Sequence, residues 1–551
     1  MRHTLLALLF LIVSGAPTAW GQSVWWKQQA ASLQPLRGPT SNFIQSTSAA
    51  GDSLWLGPVL TLYPDDAADR AAAPECADRP DPEAPNCFLQ VDNPVFTEGN
   101  NVVFALDTPS PDTVWAGLAF DTGDGRAGTG GFLVSRDGGR TFELTSTQLD
   151  AATDTTTAYG DNLLSAIPVV EEAGSAPQAI DRNPRTGRVW VAGTQSGLRW
   201  TEDGGETWQR AVLPPDTSDS ISPDDNLDFT VGPPVSETRG FLNHVAFSVL
   251  VDAEGVVWAG TPNGLNRSDS LYASGDRSWQ HVRFDGRIDG LTGGSVVALA
   301  EQPLPNRRNP IWIASWTAGG ADTERPERFG ITVTDDGGAT YRQALVGEQI
   351  FDFAFRDEIV YAAAGQAGLF VSSDGGRRWQ SVTRFDLSEA SDTQTLPGDI
   401  QIRSVTTTRT ALWLGTSDGL LRLPRDRESA LVGGGSPAWT VFRAFVPVNP
   451  DAPTASAPDV DTYAYPNPFS PADAEAVRIR FELEDPATVD VSIYDFGMNR
   501  VRAFSRRKSA GQVEVVWEGT GDGGLRLPNG PYFYTVDTGD RTLRGKILIV
   551  E

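Results

Sequence analysis

Thr201-Glu202-Asp203-Gly204-Gly205-Glu206-Thr207-Trp208 decides how this chain is read. Two adjacent glycines supply the positive φ angles of a tight hairpin turn. The Asp carboxylate can accept backbone N–H groups of that turn, and the aromatic is placed to pack beneath it. The phrase returns as Ser135-Arg136-Asp137-Gly138-Gly139-Arg140-Thr141-Phe142 and as Thr334-Asp335-Asp336-Gly337-Gly338-Ala339-Thr340-Tyr341. A fourth copy is Ser372-Ser373-Asp374-Gly375-Gly376-Arg377-Arg378-Trp379, and a degenerate trace lies between Ser268 and Trp279. Structural roles are expected for Asp137, Asp203, Asp336 and Asp374, and for Phe142, Trp208, Tyr341 and Trp379, with no catalytic role for any of them.

Upstream of each turn runs a second phrase, an apolar strand built round an aromatic. Its seven copies centre on Trp55, Trp115, Trp190, Trp258, Trp312, Tyr361 and Trp413. Four continue into Gly-Leu, at Gly197-Leu198, Gly264-Leu265, Gly368-Leu369 and Gly419-Leu420. Alternating apolar segments precede several copies, among them Val245 to Val251 and Ile400 to Thr406. Seven such units are the signature of a repeat fold in which each unit is a small antiparallel sheet. The wider intervals imply loop insertions, at 64–90, 143–178 and 213–240, which would shape a binding face.

The Ser/Thr-x-Asp-Gly-Gly-x-Thr-Trp phrase resembles the Asp box, or BNR repeat, of sialidase-like propellers. The resemblance covers roughly residues 40 to 445 and implies a seven-bladed β-propeller. Trp26-Lys27-Gln28 is similar to the strand starts Trp208-Gln209 and Trp379-Gln380. The N-terminal strand, residues 22–30, is therefore expected to dock on the last blade near Trp439 to Phe442. The early Phe/Tyr-Arg-Ile-Pro signature of sialidases is missing, so the resemblance stops at the fold. Asp-box propellers that degrade xyloglucan use an Asp acid and base, but in a cleft between two propellers, and here there is one.

The chain carries 56 Gly, 38 Pro and 16 Trp, a composition suited to many short strands joined by tight turns. Its formal net charge of −27 opposes binding to nucleic-acid phosphates or anionic lipid heads. Lys27, Lys508 and Lys546 are the only lysines, a bias that fits a GC-rich genome or a salt-adapted surface. Arg2 and His3 precede an apolar run from Leu5 to Val13, and Ala19-Trp20-Gly21 offers small residues for cleavage before Gln22. Residues 1–21 read as a secretory signal peptide, and no later segment is apolar enough for a transmembrane helix. The two cysteines, Cys76 and Cys87, are expected to close one loop as a disulfide in an oxidising compartment.

After Val446 the chain becomes Pro- and Ala-rich, a linker over 447–462, and residues 463–551 form a separate module. Five clear strands are expected at Val477–Leu483, Val489–Tyr494, Val513–Trp517, Pro531–Thr535 and Gly545–Val550, with one or two more, as a β-sandwich. The opening Tyr465-Pro466-Asn467-Pro468-Phe469, with Ile493-Tyr494-Asp495, Trp517-Glu518-Gly519 and Asn529 to Phe533, resembles the immunoglobulin-like domain of flagellar hook-capping proteins. The same opening, with the terminal Lys546-Ile-Leu-Ile-Val550, resembles the C-terminal sorting domain of type IX secretion. The second resemblance implies export across an outer membrane, with the secretion machinery as a partner.

The whole reads as all-β: a signal peptide (1–21), a seven-bladed β-propeller (22–446), a linker, and a C-terminal immunoglobulin-like β-sandwich. Only His244 and His281 follow the signal peptide. His244 is placed in an alternating strand and His281 in an outer strand, so a Ser-His-Asp triad has little to draw on. Acidic loops at Asp121–Asp124 and Asp216–Asp228 lack the spacing of an EF-hand and read as solvated. No cofactor and no metal is called for. The expected function is an exported surface or secreted scaffold that binds a protein or glycan without chemistry, with the periplasm as the alternative location. A glycoside hydrolase using a carboxylate pair and a surface-layer component are the alternatives.

Overall fold

A computed structural model of the chain describes residues 32–36, 39, 41–64, 88–97, 101–235, 240–271, 276–319, 325–387, 396, 400–443, 460–470, 476–508 and 510–550. The expected signal peptide (1–21), Trp26–Gln28, both cysteines and most of the expected 447–462 linker lie outside these residues.

Seven sheets succeed one another along the chain, each begun by an inner strand and continued outward by antiparallel neighbours. Blade 2 shows the pattern in Val102–Ser110, Thr113–Asp121, Ala127–Ser135 and Glu143–Thr145. Blades 3, 5, 6 and 7 repeat it from Pro177–Arg182, Ser295–Glu301, Asp352–Arg356 and Ile402–Thr407. Blade 1 begins at Thr47–Ala50 and gains Ser32–Leu36 as a fifth, outermost strand. Blade 4 begins at Ser248–Val251 and is widened by Ser220–Ile221. The inner strands neighbour one another in sequence order, and that of blade 7 returns to that of blade 1, so the ring is closed.

Residues 22–30, expected to dock on the last blade, lie outside the described residues, and among those described closure borrows no strand. Blade 7 draws all four strands from 402–442, ending in Thr440–Phe442. The described N-terminal strand Ser32–Leu36 adds to blade 1, by pairing with Phe88–Asp92. The seam is made by Ile44 N–H donating to Thr416 O (2.9 Å) and Gly419 N–H donating to Asn42 O (2.6 Å).

The aromatic of the second strand explains why neighbouring blades adhere. Trp55, Trp115, Trp190, Trp258, Trp312, Tyr361 and Trp413 are all buried. An aromatic from the following blade meets several of them edge-on: Phe142 on Trp55 (6.0 Å, 78°), Trp208 on Trp115 (6.5 Å, 79°) and Trp379 on Trp312 (6.0 Å, 90°). Trp279 serves blade 4 in the same way on Trp190 (6.4 Å, 80°), although the turn before it has lost its Asp-Gly-Gly. At the seam Tyr63 of blade 1 meets Trp413 of blade 7 at 4.8 Å. This edge-to-face geometry suits the ring quadrupoles and adds to the apolar area buried. The aromatic thus packs across the blade boundary as well as beneath its own turn.

Polar bonds reinforce the inner ring. Asp181 Oδ2 accepts Val251 N–H from blade 4 (2.6 Å), and Asp352 Oδ2 accepts Val405 N–H from blade 7 (2.9 Å). Such bonds satisfy donors on inner strands that have no further strand to pair with.

The described residues of the C-terminal module form seven strands, the five expected and two more. Thr462–Tyr465, Val477–Leu483 and Gly511–Trp517 form one sheet. Arg500–Lys508, Ala487–Tyr494, Gly530–Asp537 and Thr542–Ile549 form the other. Phe469, Ile479, Phe481, Val491, Ile493, Val515, Trp517 and Ile549 fill the space between them. Arg500–Lys508 escaped the sequence reading because Arg-Val-Arg-Ala-Phe-Ser-Arg-Arg-Lys carries too few apolar residues. It is an edge strand, where charge is favoured because it discourages further pairing.

Candidate functional site

Each Asp-Gly-Gly turn is a small closed hydrogen-bonded unit. In blade 3 the Thr201 hydroxyl donates to Asp203 Oδ1 (2.7 Å) and accepts Gly205 N–H (3.0 Å). Asp203 accepts Thr207 N–H (3.0 Å) and the Thr207 hydroxyl (2.5 Å). Asp137 and Asp336 make the same set with Ser135 and Thr141 and with Thr334 and Thr340. Asp374 takes Arg377 N–H and Arg378 N–H, each at 2.9 Å. Partial burial opposes ionisation of Asp203, but the Thr207 hydroxyl and backbone bonds outweigh it and pull the carboxyl down to about 2. Asp137 and Asp336 are lowered for the same reasons, and Asp374 chiefly by Arg378 N–H. The four carboxylates lie on four different blades and converge on no common point.

His244 departs from the sequence reading. It lies in a 3₁₀ turn, Leu242–His244, and the strand starts only at Ser248. Asn243 and His244, adjacent in the chain, are both buried, which a turn allows and an alternating strand does not. Burial, with Arg199 and Arg210 nearby, pushes His244 down to about 3. Those arginines flank Asp150, which binds Arg199 in a fork (2.6 and 2.9 Å) and Arg210 at 2.7 Å. His281 lies in the outer strand Arg277–Val282 as expected, and its ring nitrogens meet Ser218 O and Asn263 O at 2.9 Å each. Neither histidine is poised as a general base near neutral pH.

The acidic loops are occupied by protein donors. Asp124 pairs with Arg126 and Thr122, and Asp216 accepts Leu242 N–H and Asn243 N–H. Among the described residues no group of three or more acidic, His or Cys side chains could hold a metal ion.

Two depressions among the described residues have volumes of about 220 and 190 Å³ and share Arg307 and Arg308. Pockets for small ligands usually hold roughly 300–1,000 Å³. Both depressions lie on the face of the Asp-Gly-Gly turns.

The opposite face differs. Because strands alternate in direction, the connections between blades and the turns between second and third strands emerge there together. The insertions on either side of blade 3 leave from this face and build a sheet along the outer side of the blade from Thr156–Tyr159, Asn162–Ala166 and Thr230–Val231, whose hairpin turn reaches the other face where Gly160 N–H donates to Asp276 Oδ2 (2.9 Å). Leu164, Ala166 and Val231 pack inward with Trp190 and Trp279. Leu163, Val170, Val235 and Leu242 on this sheet and its flanks are exposed.

The sandwich meets this face at blade 7. Arg443, one residue past the outer strand, donates from Nη1 to Glu514 Oε1 (2.6 Å) and from Nη2 to Asp418 Oδ2 (2.7 Å). Arg478 donates to the same Asp418 oxygen (2.8 Å), and the Tyr465 hydroxyl donates to Glu514 Oε2 (2.7 Å). Arg443 is held charged by Asp418 and Glu514 against the burial that opposes it. Tyr465 is pushed well up by burial and by the Glu514 charge. Sequence reading missed this group, because Asp418 looks like any turn residue and Glu514 like the outward member of an alternating strand. The rest of the Tyr465–Phe469 opening is clamped to the last strand: Asn467 bonds Lys546 O and Leu548 N–H, and Phe469 is fully buried.

Residues 467–541 match the family model of the FlgD Ig-like domain. Solved structures similar to the chain include PorZ, described as a surface component of the type IX secretion system of Porphyromonas gingivalis (12% identity, 92% of this chain and 81% of that one, TM-score 0.30). Others are the GH74 enzyme of Niastella koreensis (11%, 95% and 75%, TM-score 0.43) and YCF48 of Cyanidioschyzon merolae (14%, 72% and 100%, TM-score 0.40). With scores this low, the propeller rests on its own strand order and closed ring. No curated protein matches the sequence. No helix among the described residues is long and apolar enough to cross a membrane.

Proposed function

We propose that this chain is an exported propeller, displayed on the cell surface or secreted, that binds a protein or glycan through the surface of its insertion sheet. Its C-terminal sandwich serves delivery by the secretion machinery. The observation that carries the binding role is where apolar side chains are exposed. Of the large ones exposed on the described propeller, Leu163, Val170, Val235 and Leu242 belong to the insertion sheet and its flanks, and only Ile288 and Val346 lie elsewhere. Exposed apolar side chains mark interaction sites where they gather, and here they gather on one insertion rather than around the ring. The leader-like residues 1–21 and the Tyr465–Phe469 opening support export. The Asp-Gly-Gly turns are structural in this reading.

The test is the mass and cellular fraction of the native protein, with chemical cross-linking of wild type and Leu163→Glu. A mature chain outside the cell, with cross-links lost in the variant, supports the proposal. A cytoplasmic chain that keeps residues 1–21 overturns it.

A glycoside hydrolase remains the second reading because of one pair. Asp107 and Asp181, equivalent positions on neighbouring inner strands, both lie above the ordinary carboxylate range. Burial is the main cause in each, and the Asp181 charge adds to it at Asp107. Release of reducing ends from β-glucans that disappears in Asp107→Asn would establish this reading.

A further inference from the structure

The alternation of the sandwich's smaller sheet exposes a mismatch. Val513, Val515 and Trp517 point into the core, so Glu514 must point outward, and Ile479 and Phe481 put Arg478 on the same outward face. In a free-standing sandwich that face is the wet one. Here Glu514 is 1% exposed, Tyr465 0% and Arg478 8%. Arg443 and Asp418 of the propeller supply the bonds that occupy it. The group is balanced, two guanidiniums against two carboxylates. Arg443 Nε also donates to Asp418 O (3.2 Å), and Arg478 Nε stands 3.5 Å from Glu514 Oε1. Asp418 is itself fixed by its turn, where its N–H meets Thr416 Oγ1 (2.9 Å) and the Thr416 hydroxyl holds Gly419 O (2.7 Å).

We infer that the sandwich is a permanently docked part of the propeller, held by an Arg443–Glu514–Arg478–Asp418 lock, so that cutting the connecting segment does not release it. Buried charges of this kind hold only while every partner is present. Taking the sandwich away leaves Arg443 and Asp418 on one side and Glu514 on the other without the cross-domain partners that balance them. The surface that a secretion receptor can read is then the outer sheet and the loops at its ends, since the smaller sheet is covered. This inference concerns retention and stands whether or not the export reading holds.

The test inserts a protease recognition sequence between residues 447 and 458 of the full chain, cuts it, and follows both fragments by size-exclusion chromatography. The two fragments are expected to co-elute, including at 0.5 M salt (about a 4–5 Å screening length), because buried pairs are screened little. Glu514→Gln, cut in the same way, is expected to raise the dissociation constant by at least about 30-fold, as does Arg443→Gln. Circular dichroism of the uncut variants confirms that each is folded. Separation of the wild-type fragments overturns the inference. So does equal retention of wild type and both folded variants, since the lock would then not be what holds the domains.

Discussion

Gly376 of blade 6 lies against Trp312 of blade 5 so closely that a Cβ on the glycine would stand 2.7 Å from the indole Cη2. Its neighbour Gly375 has φ of 70° as Gly376 has 79°, but meets nothing nearer than Arg377 Nη1 at 3.9 Å. The first glycine of the turn is needed for backbone conformation alone, the second also for the approach of the next blade.

Replacing each glycine by alanine separates these demands. Gly375→Ala is expected to cost about 1–2 kcal/mol, the strain of a left-handed residue. Gly376→Ala adds overpacking and is expected to cost about 2–4 kcal/mol. Thermal midpoints of the two variants would check the order. Equal losses would mean that Trp312 yields freely.

Blade 4 tests whether the aromatic or the Asp turn matters more. Trp279 is 2% exposed and packs on Trp190 without an Asp-Gly-Gly turn before it. Trp279→Ala is expected to cost about 3–5 kcal/mol. Asp203→Ala, which removes bonds of an exposed turn, is expected to cost about 1–2 kcal/mol. Denaturant melts monitored by Trp fluorescence and circular dichroism would rank the two.

The inner ring makes the propeller sensitive to pH above the acid range. Burial pushes Asp181 and Asp352 up to about 7, against an unfolded value near 4. A raised folded value means that the stability these groups contribute is whole below about pH 4. It declines as pH rises and is gone above about pH 7. Melting temperature is expected to fall across this window, and less so in Asp181→Asn plus Asp352→Asn, which keep an acceptor for Val251 and Val405 N–H. The Asp203 turn acts in the opposite sense, losing stability only as pH drops from about 4 toward its value of about 2.

The triad under the insertions should be intolerant of truncation. Asp150→Ala leaves Arg199 and Arg210 buried without their carboxylate and is expected to cost about 3–5 kcal/mol. His244, already held at about 3, should show no imidazole titration by NMR between pH 8 and pH 5. A midpoint near 6.5 would show that the ring reaches water.

The number of blades was legible because each copy keeps a large aromatic in its second strand, from Trp55 to Trp413, whose burial the ring requires. Insertions were legible as gaps, but not that Asn162–Ala166 and Thr230–Val231 would pair, since parallel pairing across 65 residues leaves no local pattern. His244 was misplaced because alternation over a few residues does not separate a strand from one turn of 3₁₀ helix. The domain lock left no trace either. Charge balance among Asp418, Arg443, Arg478 and Glu514 exists only once two separately folded units meet.

The seam between blades 1 and 7 carries a consequence for the order of assembly. Arg409 and Asp52 pair across it although 357 residues separate them along the chain. Each middle blade is built from contiguous hairpins and can form as soon as its own stretch is available. The seam between the two end blades has to wait for both. A chain delivered amino-end first therefore remains an open crescent until its last blade arrives, and Glu514 can find Arg443 only after that.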